Sequence, residues 1–263
     1  MGEAIVITSG KGGVGKTTTS ANVGSALAIL GKKVCLVDTD IGLRNLDVAL
    51  GLENRIIYDI IDVAEGKCKV KQAIIKDKRF DSLFLLAASQ TKDKNSLEED
   101  KMLEIVAQLK EDFDYVIIDC PAGIEKGFQN AVAGADRAIV VVTPDATSVR
   151  DADRVIGLLE KQQMKRVDLI VNRADAKLMS EKDMLDLDEV VSILAIDLLG
   201  VVPDDDGILR GNNKGEPIAM QTEPMASKAY RNIARRINGE TIPLLDLRIG
   251  KEGFFKKIKK IFS

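Results

Sequence analysis

Seven short apolar runs, rich in β-branched residues, recur at residues 4–8, 33–37, 82–86, 114–118, 137–142, 167–171 and 198–202. Each is five or six residues long and lacks the strict polar alternation of a half-exposed strand, so each reads as a strand buried on both faces. Between most of them lie longer segments with helical spacing, such as 17–30, 97–110 and 148–161. Buried strands alternating with helices predict an α/β fold, a doubly wound, mostly parallel sheet in a single domain. Such a sheet takes its ligand beyond the C-terminal ends of its strands. The pattern holds over residues 1–238; residues 239–250 read as a linker, and 251–263 stand apart as a separate piece.

Charge sharpens that separation. The 263-residue chain has a net charge of −3, but residues 251–263 hold five Lys and one Glu, a local +4, which leaves 33 basic against 40 acidic residues, −7, elsewhere. An acidic body with a basic end predicts that only the end meets an anionic surface, and it argues against a specific nucleic-acid partner. The sequence holds no His, which excludes His-based catalysis and His metal ligation. Cys35, Cys68 and Cys120 are scattered, the pattern of a reduced, cytosolic protein with buried thiols. No apolar stretch reaches the ~20 residues of a spanning helix, and no secretory signal is legible at the start. A chain of this kind is soluble or touches a membrane from one side.

Directly after the first run stands Gly10-Lys11-Gly12-Gly13-Val14-Gly15-Lys16-Thr17, which satisfies G-x-x-x-x-G-K-[ST] between a strand and a helix. The glycines let backbone N–H groups wrap phosphates at a helix N-terminus. Lys16 is placed to neutralise the β- and γ-phosphates of a nucleotide, and the Thr17 hydroxyl to ligate Mg²⁺. Thr18 joins the nucleotide-binding set. Two further strand ends carry carboxylates. Val34-Cys35-Leu36-Val37-Asp38-Thr39-Asp40 places Asp38 and Asp40 at i and i+2, on one side of an ideal strand, where they can hold the Mg²⁺ shell and position an attacking water. Val116-Ile117-Ile118-Asp119-Cys120-Pro121-Ala122-Gly123 resembles a Walker B strand: Asp119 is expected to bind Mg²⁺ through its water shell, and the Gly123 N–H to lie near the γ-phosphate.

Lys11, a second lysine that phosphate cradling does not require, makes the loop resemble the deviant Walker A motif of the MinD/ParA class of ATPases. The resemblance extends over nearly the whole chain. It is carried also by Ile41-Gly42-Leu43-Arg44-Asn45-Leu46-Asp47, by residues 119–123, by Ser148-Val149-Arg150-Asp151-Ala152-Asp153-Arg154 and by residues 209–217. It implies an ATP- and Mg²⁺-dependent ATPase that forms a homodimer on ATP, with Lys11 reaching the partner's nucleotide and Asp40 positioning the hydrolytic water. For the division-site branch of the class it implies recruitment of the division inhibitor MinC, with MinE or another topological factor as a further partner. The surface around Asp151, Asp153 and Arg154 would receive partner proteins; read without the resemblance, the same charges are equally a solvated helix face. Asn172-Arg173-Ala174-Asp175 imitates a guanine-reading motif, whereas the class reads adenine, with Asn172 near the base and Pro203-Asp204-Asp205 closing over it. A ParA-type partition ATPase is the alternative within the class, and the acidic body counts against it.

At the end, Phe254, Ile258, Ile261 and Phe262 fall at i, i+4, i+7 and i+8, with Phe255 beside them. On a helical wheel these five fill an arc of about 120°, and Lys256, Lys257, Lys259 and Lys260 occupy the rest. A terminal helix of this composition is expected to lie in the interface of an anionic membrane, peripheral on the cytoplasmic face of the plasma membrane.

Overall fold

The computed structural model describes residues 1–93 and 96–247. β1 (Glu3–Thr8) leads into α1 (Lys16–Ile29) and β2 (Val34–Asp38). Three short helices, α2 (Leu46–Leu50), α3 (Ile60–Ala64) and α4 (Val70–Ala73), precede β3 (Ile75–Lys76) and β4 (Leu83–Leu86). Next come α5 (Glu99–Asp112), β5 (Tyr115–Asp119), α6 (Lys126–Ala133), β6 (Arg137–Val142), α7 (Ala146–Lys161) and β7 (Val167–Ala174). Finally α8 (Ala176–Ser180), α9 (Leu187–Leu194), β8 (Asp197–Pro203), α10 (Asp206–Lys214) and α11 (Met225–Ile237) close the series. The seven expected strands are all present. The two-residue β3 was not legible, because it is too short to form an apolar run.

The strands form one sheet in the order β3-β4-β2-β5-β1-β6-β7-β8, parallel throughout except for β3 against β4. Period two sorts their side chains into two cores. Ala4, Val6, Cys35, Val37, Val116 and Ile118 join one apolar cluster with α5, α6, α7 and α9. Ile5, Ile7, Leu36, Ile117 and Ile139 join the other with α1, α2 and α11. Burial on both faces is why these runs show no polar alternation. β1 lies between β5 and β6, so successive crossovers leave it in opposite directions, and the crevice expected at such a switch point opens at the loop after β1.

Gly239 lies just past the end of α11, and residues 239–247 carry no further helix or strand. The remainder of the expected linker and the whole expected tail helix, with Phe254, Phe255, Ile258, Ile261, Phe262 and the four lysines, lie outside the described residues. Among the described residues no helix is long and apolar enough to cross a membrane.

Candidate functional site

The loop from β1 to α1 is held from two sides. Gly15 caps α1 in the left-handed region at φ 97°, and a Cβ there would overlap the Asn172 side-chain amide. Asn172 itself donates from Nδ2 to the Val14 carbonyl at 2.8 Å, and its Oδ1 is buried with no hydrogen-bond partner. At the loop's other end a Cβ on Gly10 would overlap the Asp151 backbone of α7. Thus β7 and α7 both shape the loop, through close approaches that only glycine permits. Lys16 is almost fully buried and donates from Nζ to Ser9 Oγ at 3.0 Å; Ser9 Oγ in turn donates to the Lys11 carbonyl at 2.8 Å. A buried ammonium beside the N-terminus of a 14-residue helix is a strong anion cradle. Thr18 Oγ1 accepts from Asn212 Nδ2 of α10 at 3.1 Å.

The acidic residues gather at the adjoining strand ends. Asp38 of β2 and Asp119 of β5 are register partners, and both are buried. Burial pushes the Asp38 carboxyl pKa up, and the Asp119 charge pushes it further. Burial likewise raises Asp119, opposed by hydrogen bonds from the Ser20 and Thr17 hydroxyls and by the Lys16 charge. Ser20 Oγ donates to Asp119 Oδ1 at 2.7 Å, so the first turn of α1 and the end of β5 form one polar cluster. A hydroxyl and a carboxylate so placed are the hard oxygen donors that suit Mg²⁺.

Asp38 and Asp40 do not share a strand face. β2 ends at Asp38, whose Oδ1 accepts the Asp40 N–H at 2.9 Å and whose Oδ2 accepts the Leu46 N–H at 3.1 Å. This side-chain turn bends the chain before position 40, so strand periodicity stops two residues early. Asp40 instead lines a cavity of about 130 Å³ with Leu43, Pro121, Ala122, Glu125 and Lys126. Gly123 lies in the same loop after β5, between Ala122 and Glu125.

Lys11 is 42% exposed and sits 3.5 Å from Asp145 Oδ1. Asp145 caps α7 by accepting the Ser148 N–H and also accepts from Thr143 Oγ1 at 2.6 Å. Lys11, Gly12, Gly13 and Val14 form one side of a cavity of about 360 Å³, faced by Asp145, Arg173 and Met184. Asp153 and Arg154 are exposed on α7, while Asp151 is half-buried with its backbone against Gly10. Pro203 and Asp205 line a second cavity of about 200 Å³ with Ala174, Asp175, Asp204 and Leu247. Asp175 caps α8 through the Lys177 N–H, and Asp205 caps α10 through the Gly207 N–H. Asn172 stands two residues upstream in β7, turned to the phosphate-type loop rather than lining that cavity.

Sequence reasoning missed Ser9, Ser20, Asp145 and the contact of Asn212. Ser20 was legible, since three residues after Thr17 puts it on the same helix face. The others act through long-range contacts or loop geometry that carry no local signal.

The AAA domain family matches residues 2–172 of this chain. The septum site-determining protein MinD of Bacillus subtilis (strain 168) is 62% identical over 265 residues, covering 100% of this chain and 99% of the relative. In the MinC:MinD cell division protein complex of Aquifex aeolicus, the matching chain is 49% identical with a TM-score of 0.87, covering 93% of this chain and 99% of that one. The septum site-determining protein MinD of Pyrococcus horikoshii OT3, solved with Mg-ADP, is 29% identical with a TM-score of 0.83, covering 91% and 97%.

Proposed function

The chain belongs to the MinD family and is a division-site-positioning ATPase, and on that premise we propose how its own residues bind ATP, dimerise and reach a membrane. The observation that carries the reading is the cluster in which Lys16, Thr17 and Asp119 meet at the N-terminus of α1 beside Asp38. Gly10, Gly12, Gly13, Val14, Gly15 and Thr18 supply the phosphate cradle, and Lys16 carries the charge that holds the β- and γ-phosphates. The relative solved with Mg-ADP supports a magnesium nucleotide here. Thr17 and Asp119 are the residues that would hold Mg²⁺, which would supply positive charge against the nucleotide phosphates. Asp38 supports this site by fixing the turn that carries Asp40. Asp40 orients the attacking water and the Gly123 N–H faces the terminal phosphate. Asn172, which bonds the phosphate loop at Val14, lies near the base, and Pro203 and Asp205 border it.

Lys11 leaves Asp145 and crosses a homodimer interface to the partner's nucleotide once ATP is bound. The exchange is inexpensive because the Lys11–Asp145 pair is 3.5 Å long and nearly half-exposed on both sides. MinC is the partner, a reading supported by the MinC:MinD complex of Aquifex aeolicus; Asp151, Asp153 and Arg154 on α7 are the surface assigned to it and to MinE or another topological factor. Because α7 packs on Gly10, the loop and this surface move together. Residues 251–263 bind anionic lipid on the cytoplasmic face of the plasma membrane. One such tail binds marginally; two on an ATP dimer make the second insertion intramolecular, which raises avidity by ~10²–10⁴.

Liposome sedimentation with ATP and with ADP, alongside a DNA-binding control, tests the scheme. ATP-dependent pelleting with anionic liposomes is expected, lost when Phe254 and Ile258 are changed to Glu. Equal pelleting with ADP and ATP would sink the dimer-gated mechanism, and ATP-dependent DNA binding in place of lipid binding would sink the membrane reading.

A further inference from the structure

We propose that Leu247, at the end of a strap formed by residues 240–247, is a wall of the nucleotide-base cavity, so that base binding and the strap hold each other in place. The strap is docked on the body. Arg236 of α11 grips it, donating from Nε to the Ile242 carbonyl at 3.1 Å and from Nη2 to the Pro243 carbonyl at 2.5 Å. The same guanidinium anchors to the sheet through Nη1 and the Leu199 carbonyl of β8 at 2.9 Å. Farther along, Leu245 packs against the core that contains α1 and α11, whereas Leu247 packs against the core on the opposite face. Two residues therefore carry the chain around the outer margin of β8.

That path delivers Leu247 to the cavity bounded by Ala174, Asp175, Ala176, Pro203, Asp204, Asp205 and Met225. The cavity lies beside the phosphate-type loop. Ala174 follows by two residues the Asn172 that bonds Val14, and the Asp204 N–H donates to the Ala174 carbonyl at 3.1 Å. Its lining is chemically divided. Ala174, Ala176, Pro203, Met225 and Leu247 offer apolar surface, and Asp175, Asp204 and Asp205 offer acceptors. A flat heteroaromatic ring with apolar faces and an amine on its edge fits such a lining. The inference rests on the reading of this cavity as the base site. Given that reading, Leu247 contacts the base from a segment that is contiguous with residues 248–263, and occupancy of the site bears directly on the chain leading to the tail.

The test uses the full chain, with calorimetric affinities for ADP and for inorganic tripolyphosphate, which has phosphates but no base. Leu247→Asp should weaken ADP about tenfold, through the loss of one apolar contact and the crowding of a further carboxylate against Asp175, Asp204 and Asp205, while tripolyphosphate is unchanged and Leu247→Met restores ADP binding. Ala176→Leu, which fills the cavity from α8, is the control for the base reading. If Ala176→Leu weakens ADP but Leu247→Asp does not, the strap proposal is overturned and the base site stands; if neither weakens it, both fall. Equal weakening of ADP and tripolyphosphate by Leu247→Asp also overturns it, because the effect would then run through the fold. Hydrogen exchange gives a second readout. Amides at 244–247 should slow on adding ADP and not on adding tripolyphosphate, and exchange unaffected by ADP contradicts the proposal.

Discussion

At the start of β6 and β7, Arg137 and Asp168 are both almost wholly buried and meet at 2.6 Å, with Arg166 approaching the same carboxylate at 3.1 Å. At the other end of the sheet Lys16, Asp38 and Asp119 are also buried, yet their hydrogen-bond partners are hydroxyls and backbone N–H groups. One end pairs its ions inside the fold; the other holds charge that a ligand can complete. The difference teaches where a buried charge serves structure and where it serves binding, since a buried cation and a buried carboxylate stand in both places. A buried ion paired within the fold becomes an uncompensated charge when its partner is removed, whereas a charge held for a ligand is missed mainly when the ligand arrives.

Four substitutions break or sharpen the contrast. Asp168→Ala should cost about 3–5 kcal/mol in urea unfolding, because Arg137 is left buried with only Glu3, 4.0 Å away, to offset its charge, while the folded fraction keeps its ADP affinity. Lys16→Ala should weaken ADP roughly a hundredfold or more, about 2.7 kcal/mol by calorimetry, and shift unfolding by less than that. Gly10→Ala blurs the two ends by design. Its Cβ would meet the Asp151 backbone, so about 1–3 kcal/mol of stability and a part of the nucleotide affinity should fall together. Lys11→Ala should have the smallest effect on the monomer, about 0–1 kcal/mol, since its pair with Asp145 is exposed. Sedimentation should nevertheless show loss of the ATP dimer, and a variant that still dimerises would remove the cross-subunit role.

The legibility of the chain follows the range of the contacts. β1, β2 and β5 were readable because burial on both faces writes an unbroken apolar run into the sequence, and the phosphate loop because its chemistry is contiguous. Strand order was not readable, since it depends on which way each crossover turns. The expected pairing of Asp38 with Asp40 on one side of a strand does not hold, because β2 ends at Asp38 and that side chain captures the Asp40 N–H. Gly10 reads as a phosphate-loop glycine, and the fold adds a second requirement for glycine there from Asp151, 141 positions away. Asn212 falls within residues 209–217, and only the fold shows that it bonds Thr18.

The strap and β3 share a consequence for self-association. An open sheet presents backbone donors and acceptors along its outermost strands, and such margins invite uncontrolled growth by addition of further chains. Here one margin ends in β3, two residues long and antiparallel, which leaves little template. At the other, Arg236 occupies the Leu199 carbonyl of β8 and the strap wraps past it. Both margins of the sheet are thus poor templates for edge-to-edge growth.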